Sequence, residues 1–272
     1  MKKIFIIPIL LISIFSCTKI IDLDLNDDEN KKLVVDAVFT TLPLEHVVKL
    51  NISANYFSGD VPPAATGATV SVTDGVNTFD YIETSPGIYK TDSLAKATPN
   101  RSYTLNILYE GVTYTATNYC DSVPELDSVM IEPKFITPGA TEPDYHIIRI
   151  STQEKLGYGD YYAWQVYVNG VLKNDTITEQ ISTDDGFFPD GTYFNLFELT
   201  RMDDLESGDT IMVAQHAISK ETYEGYFAIL LQTVFRGGIF DTPPADVPTN
   251  MSEGAVGIFS ASGEARRVGY VP

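Results

Sequence analysis

Two alternating runs joined by a short turn decide the fold: residues 102–118 read SYTLNILYEGVTYTATN. Side chains of a strand alternate between its two faces, so Tyr103, Leu105 and Ile107 share one apolar face. The dipeptide Glu110-Gly111 between the runs is typical of a short hairpin loop, in which glycine readily adopts a positive φ. The segment therefore predicts two antiparallel strands with one buried face.

Similar runs, rich in Val, Ile, Thr and Tyr, occur on both sides of this hairpin and are separated by turn residues. The strands predicted in the first part of the chain are Leu33–Phe39, His46–Ser53, Ala68–Thr73, Thr78–Ile82, Ser102–Tyr109 and Val112–Asn118. Together they predict an N-terminal immunoglobulin-like or transthyretin-like β-sandwich over residues 33–120. Residues 121–125, with Pro124, are predicted to lead into a second domain.

Residues 125–272 are predicted to form this second β-rich domain, which carries one amphipathic helix. Its predicted strands are Leu126–Ile131, Tyr145–Ser151, Tyr161–Val168, a continuation at Val171 after the Asn169-Gly170 turn, Asp209–Gln215 and Ala255–Ser260. Apolar residues recur at three- and four-residue steps from Tyr223 to Phe235, which predicts a helix over about 220–236. We interpret its apolar face as packed on a sheet, because the polar face has too little positive charge for a membrane-surface helix.

The N-terminus has the parts of a secretory signal peptide. Two lysines follow the initiator methionine, and residues 4–15 form an almost unbroken apolar run, too short for a bilayer that needs about 20 residues. Ile14 and Ser16 fit a lipobox, so we predict removal of residues 1–16 and lipidation of Cys17. The alternative is an ordinary signal peptide that contains a cysteine.

Residues 17–32 are predicted to be the lipidated cysteine and an acidic linker. Loss of the two lysines changes the formal charge from −19 to −21. Such a charge, without a basic patch, argues against nucleic-acid binding. Acidic residues soon after a lipidated cysteine mark surface export in some bacteria, so we expect the body to face the cell surface; the periplasmic face is the alternative.

No motif in the sequence assigns a catalytic residue, a cofactor or a metal. His46, His146 and His216 are far apart, and none has a second His or Cys nearby, so no metal site is predicted. There is no G-x-S-x-G elbow and no P-loop. A carboxylate pair assembled from distant strands stays open. Cys120 is interpreted as a small buried side chain.

The best binding candidate is the aromatic loop, residues 184–194, which read DDGFFPDGTYF. It concentrates Phe187, Phe188, Tyr193 and Phe194 among turn residues, and loops on rigid scaffolds commonly carry function. Exposed rings beside carboxylates suit sugars, peptides or a partner protein. The competing interpretation is that its three phenylalanines fill the end of the sandwich. Trp164, on an alternating strand, is interpreted as a core residue.

Several fragments, in a fixed order, carry a resemblance to a known family. They are Ile21–Leu25 after Cys17, Leu33–Ala37, Arg101–Leu105, Leu126–Val129, Tyr161–Gly170, Gly208–Ile211 and Pro248–Phe259. From Cys17 almost to Pro272, the chain resembles an uncharacterised family of Bacteroidota outer-membrane lipoproteins, described as a domain of unknown function. Such proteins are commonly encoded beside TonB-dependent receptors, and the family has no assigned catalytic residues.

The resemblance implies a non-enzymatic accessory lipoprotein of an outer-membrane TonB-dependent transporter, which assists substrate capture or gating. It implies two contacts, one with the barrel protein and one with the membrane through the lipid anchor. Two alternatives stay open. The protein could be a structural subunit of an outer-membrane assembly or secretion complex or, as a third hypothesis, a stand-alone surface hydrolase.

Overall fold

The computed structural model describes residues 31–54, 61–184, 186, 189–234 and 247–272. The predicted signal peptide, Cys17, most of the acidic linker, Phe187, Phe188 and the predicted end of the helix after Val234 lie outside the described residues. Lys32–Pro272 form one compact unit. The described part contains fifteen strands and one α-helix, which confirms the prediction of a mainly β fold with a single helix.

All of the predicted strands are present, several of them longer than expected, and β5, β12 and β13 are additional. The strands are β1 (Leu33–Thr40), β2 (Val47–Ile52), β3 (Thr69–Thr73), β4 (Thr78–Ser85), β5 (Ile88–Lys90), β6 (Arg101–Tyr109), β7 (Val112–Cys120), β8 (Leu126–Lys134), β9 (Tyr145–Gln153), β10 (Tyr161–Val168), β11 (Val171–Leu172), β12 (Ile181–Asp184), β13 (Tyr193–Met202), β14 (Thr210–Ile218) and β15 (Ala255–Tyr270). Helix α1 is Lys220–Val234, and a 3-10 turn spans Ile177–Glu179.

The predicted hairpin turns have the geometry that their residues favour. Tyr109 pairs with Val112 across a two-residue loop, in which Glu110 has φ 49° and Gly111 has φ 79°. Two successive positive φ values characterise the type I′ turn, whose twist matches that of the flanking strands. The turn between β10 and β11 is of the same kind, because Asn169 has φ 51° and Gly170 has φ 81°.

One twelve-stranded sheet follows the order β11-β10-β14-β15-β1-β2-β5-β4-β3-β6-β7, with β12 beside β10. A second sheet has the order β13-β9-β8. β15 pairs antiparallel with β14 and parallel with β1, where Ala37 lies opposite Phe259. The last strand of the chain therefore lies directly beside the first, and it joins the strands from the two halves of the sequence into one sheet.

The first hydrophobic core is built by alternate residues of the N-terminal strands. Leu33, Val35, Ala37 and Phe39 of β1 turn inward, towards buried residues of β6 that include Tyr103. The Phe39 ring centroid lies 5.3 Å from that of Tyr103 and 5.0 Å from that of Phe79. Burying such side chains stabilises a fold by about 1.5–3 kcal/mol each, so this packing holds β1 against β6.

The second core lies between β10 and β14 on one side and β8 and β9 on the other. Trp164 is buried there, which confirms its interpretation as a core residue, and its Nε1 donates a hydrogen bond to Gln215 Oε1 at 3.0 Å. Gln215 Nε2 in turn donates to the Pro124 carbonyl oxygen at 3.1 Å. The polar atoms of both side chains are thus satisfied inside an apolar core, as burial requires.

Helix α1 contacts β15 and β10 mainly through small residues. Thr222 and Gly225 are buried, and a Cβ on Gly225 would lie only 2.5 Å from Ile258 Cδ1. Ser219 caps the helix by accepting a hydrogen bond from the Thr222 N–H at 3.2 Å. Phe227 is 51% exposed, so the apolar stripe is only partly covered by the sheet, in contrast to our interpretation from the sequence.

The described segments contain no helix that is both long and apolar enough to cross a membrane.

Candidate functional site

Five neighbouring strands, β10, β14, β15, β1 and β2, turn alternate residues to opposite faces of the sheet. On β1, Ala37 points into the first core, whereas Val38 lines a cleft on the other face. On β10, Trp164 points into the second core, whereas Gln165 lines the same cleft. The strand period of two thus separates a core face from an outer face, and the outer face holds a cleft.

This outer-face cleft has a volume of about 570 Å³, within the range of about 300–1,000 Å³ that is usual for small-molecule sites. Its floor is the outer face of the five strands. Tyr226 and Ile229 of α1 and the segment 172–180, which includes Ile177, form the opposite wall. Helix α1 therefore shapes the cleft by lying across only part of the sheet.

Buried ionisable side chains lie on the cleft floor. His216 of β14 pairs directly with Glu264 of β15, and Glu264 is only 5% exposed. Arg266 Nε donates a hydrogen bond to Glu264 Oε1 at 2.5 Å, and this ion pair compensates the buried carboxylate. Each buried charge costs several kcal/mol of desolvation even when it is paired. The ion pair is therefore not expected to stabilise the sheet more than apolar side chains of similar volume would.

The protonation states on the floor follow from burial and from neighbouring charges. Burial favours a raised pKa for Glu264, but the charge that His216 carries once it is protonated and the ion pair with Arg266 oppose it, and the net pKa lies below the ordinary value. Burial lowers the pKa of His216, against the opposing influence of Glu264. At neutral pH the floor therefore carries an ionised Glu264 beside Arg266 and an uncharged His216.

His216 belongs to a hydrogen-bonded chain across three strands. Its Nδ1 lies 3.4 Å from Ser262 Oγ, and its Nε2 lies 3.3 Å from Gln165 Oε1, which also accepts a hydrogen bond from the Tyr167 hydroxyl at 2.8 Å. An amide oxygen can only accept, so the neutral ring carries its proton on Nε2, and Nδ1 accepts from Ser262. This chain fixes the orientation of Gln165 and Tyr167 on the floor.

His46 lines the cleft beside the start of β2 and is also buried. Its Nε2 lies 3.0 Å from the Ala95 carbonyl oxygen, and its ring centroid lies 4.6 Å from that of Phe39. Burial lowers its pKa. His146 is buried on β9 and does not line the cleft. Within the described residues, no group of three His, Cys, Asp or Glu side chains is placed to hold a metal ion.

The aromatic loop lies apart from this cleft. Of its four candidate residues, Phe194 is 8% exposed, with its ring 5.8 Å from that of Phe197, and Tyr193 is 48% exposed. The loop contacts the β9–β10 connection, where Gly157 N donates to Asp190 Oδ1 at 2.8 Å. Little of the Phe194 ring is open to a ligand, while binding by the other three residues stays a prediction.

Four residues of the cleft floor have no functional signal in the local sequence pattern. Glu264 and Arg266 lie in the second half of β15, beyond the predicted strand Ala255–Ser260, and Gln165 and Tyr167 lie in β10, where the pattern predicts only a strand. A signal for the longer strand is present, because Ser260, Ser262, Glu264 and Arg266 place a polar side chain at every second position. Such alternation indicates a strand with a polar face even without apolar residues.

Comparison with known proteins places the chain in a family. A family model described as Domain of unknown function (DUF4249) matches residues 18–267, which include helix α1 and all of the cleft floor except the last three residues of β15. No curated protein matches the chain. Since the match covers nearly all of the sequence after Cys17, the protein belongs to the DUF4249 family.

Proposed function

We propose that the protein is a lipid-anchored accessory subunit of an outer-membrane TonB-dependent transporter, which helps to capture or gate substrate and catalyses no reaction. The observation that carries the proposal is the lipobox-like sequence Ile14-Phe15-Ser16-Cys17, after which the family match begins at residue 18. A lipidated Cys17 would tether the body to a membrane without a spanning segment.

The length of the linker supports such a role. Fourteen residues, 18–31, separate Cys17 from the compact unit that begins at Lys32. A fully extended chain rises about 3.3–3.6 Å per residue, so these residues reach at most about 50 Å. The β-rich body would then stay close enough to the membrane to contact the mouth of a barrel.

The state of the cleft residues supports binding over catalysis. A hydroxyl held by a histidine, as Ser262 is by His216, is also the arrangement of an activated nucleophile, which must be reachable by a substrate. Ser262 is 1% exposed, His216 is 6% exposed, and the Glu264 carboxylate is paired with Arg266. These buried groups hold a fixed polar surface, in keeping with a protein that captures a molecule and releases it unchanged.

The exposed apolar residues favour one alternative, a structural subunit of an outer-membrane assembly or secretion complex. Leu156 is 86% exposed and Tyr158 is 84% exposed in the β9–β10 connection, and Phe227 is half exposed on α1. Exposed aromatic and aliphatic side chains are typical of surfaces that contact a protein partner. A purely structural subunit would bind its partner permanently and would bind no free nutrient.

Co-purification tests the proposal. The protein is tagged after Pro272, extracted from outer membranes in mild detergent, and analysed for proteins present in stoichiometric amount. We expect a TonB-dependent barrel. Other assembly proteins would favour the structural alternative, and a protein without partners would contradict both.

The matched control for this experiment is Cys17→Ser. Replacing the sulfur removes the atom that would carry the lipid, so the variant should not incorporate an alkyne-labelled fatty acid and should lose the barrel from the purified fraction. Incorporation of the label by the Cys17→Ser variant would contradict the lipid anchor at this residue.

A further inference from the structure

The charged side chains that line the outer-face cleft are almost all paired. Besides the Glu264–Arg266 pair, Lys49 Nζ lies 3.4 Å from Asp36 Oδ2, and Lys90 Nζ lies 3.2 Å from Glu45 Oε2. The remaining charged lining residue, Asp175, is exposed. An ionic ligand would have to compete with these existing partners. The cleft thus offers polar groups without an unpaired buried charge.

Several hydrogen-bonding groups on the floor are available to a ligand. Within the described residues, the two Nη atoms of Arg266 and the Nε2 atom of Gln165 make no hydrogen bond. The Tyr167 oxygen donates its proton to Gln165 and can still accept. Planar guanidinium and amide groups present donors in a fixed geometry, which suits a ligand with several neighbouring oxygen atoms.

The walls provide apolar surface above this polar floor. Ile177, Tyr226 and Ile229 line the side towards α1 and the 3-10 turn, and Ile258 of β15 lies on the floor against α1. A wholly apolar ligand would remove water from the Glu264–Arg266 pair without replacing its hydrogen bonds, at a cost of several kcal/mol. The suitable ligand has both C–H surface and hydroxyl groups.

The sheet that forms the floor offers no edge to an extended peptide. Each of the five floor strands has a partner on both sides. β10 lies between β14 and the short strands β11 and β12, β14 between β10 and β15, β15 between β14 and β1, β1 between β15 and β2, and β2 between β1 and β5. Adding a peptide strand requires unpaired backbone N–H and C=O groups. Recognition on this floor therefore relies on side chains, which favours a small molecule over a peptide.

From these four observations, we infer that the outer-face cleft binds an uncharged, hydroxyl-rich molecule of the sugar class. Arg266, Gln165 and Tyr167 hydrogen-bond its hydroxyl groups, and the isoleucine-lined wall packs against its C–H face. The inference goes beyond the proposed function, because it holds whether or not a transporter is the partner.

The test begins with the purified full chain in detergent and a glycan array. The array carries neutral oligosaccharides of glucose, galactose, mannose and xylose, together with anionic oligogalacturonate and cationic chitosan oligosaccharides. We expect binding to neutral members only. At a concentration one hundred times the Kd, a bound neutral sugar should raise the Tm by about 5–10 °C. No binding by the folded protein, or a preference for the charged members, overturns the inference.

Two variants of the 3-10 turn locate the binding. Ile177→Trp enlarges a side chain that lines the cleft, whereas Thr178→Trp introduces the same side chain at an exposed neighbouring position that does not line it. We expect at least tenfold weaker sugar binding for Ile177→Trp and a change of less than twofold for Thr178→Trp. Unchanged affinity in Ile177→Trp would show that the sugar binds elsewhere and would overturn the inference. Because these assays need no barrel, their failure is distinguishable from failure of the co-purification.

Discussion

The two faces of the five strands β10, β14, β15, β1 and β2 differ in chemistry although they share one backbone. The core face carries closely packed apolar side chains such as Phe39, within 5.0–5.3 Å of two other rings. The outer face carries the Glu264–Arg266 pair, the uncharged His216 and a cavity of about 570 Å³. Apolar packing accounts for the residues of the core face. It does not account for the ionic groups of the outer face, because buried ionic groups rarely add stability over apolar ones.

Truncation on the core face should have the largest effect. Phe39→Ala removes a fully buried ring from the first core, and we expect the free energy of unfolding to fall by about 3–5 kcal/mol. Val38→Ala, the neighbouring change on the outer face, should cost only about 1 kcal/mol because the side chain is partly exposed. Urea denaturation measures both values, and equal losses would contradict the distinction between the faces.

Breaking the ion pair should have the next largest effect. Arg266→Ala leaves Glu264 buried without its partner, and we expect a loss of about 2–3 kcal/mol, reduced from the fully buried case because the Arg266 side chain is 30% exposed. The matched control is Arg267→Ala at the neighbouring exposed position, which should change stability by less than about 0.5 kcal/mol. Urea denaturation measures both losses, and similar losses for the two arginines would show that the Glu264–Arg266 ion pair does not contribute to stability.

The buried histidines should make stability depend on pH. Burial lowers the pKa of His46 and of His216, which Glu264 and Arg266 also influence. Below the ordinary pKa of about 6.5, the unfolded chain therefore binds protons that the folded protein does not. Stability is highest above this pH and falls as the pH decreases through it towards the lowered folded-state pKa values. The lowered pKa of Glu264 adds a further loss at more acidic pH.

His216→Asn should weaken this dependence. Between pH 7.5 and 5.5 we expect a smaller decrease in the free energy of unfolding than in the unsubstituted protein, measured by urea denaturation at several pH values. A slope equal to that of the unsubstituted protein would mean that His216 already accepts a proton in the folded state.

The local parts of the fold could be predicted from the sequence, because their signals lie within a few residues. The β6–β7 hairpin is specified by alternation on both sides of Glu110-Gly111, and helix α1 by apolar residues at helical spacing. β13 could not be predicted in this way. Its pairing with β9 is interrupted by register shifts between Phe194 and Phe197 and between Glu198 and Thr200, and Leu196 has φ 54°.

The cleft could not be predicted because it depends on pairing between distant strands. His216 meets Glu264 only when β14 pairs with β15, and β1 joins them through a parallel pairing with the end of the chain. Neither pairing has a connecting turn that a local pattern would reveal. The polar alternation on β15 indicated a strand with a polar face, but nothing in the sequence showed which other residues would share that face.

Substituting two side chains of the outer face tests most directly whether that face binds a ligand. For Tyr167→Phe and Gln165→Ala, the free energy of unfolding and the affinity for a neutral oligosaccharide identified on the array are measured on the same samples. We predict a stability loss of at most about 1 kcal/mol for Tyr167→Phe, the usual net value of one hydrogen bond, and of about 1–3 kcal/mol for Gln165→Ala, which leaves His216 Nε2 and the Tyr167 hydroxyl without their acceptor. Affinity should fall at least tenfold in both variants. Loss of stability with unchanged affinity would contradict a binding role and would make the outer face part of the structural framework alone.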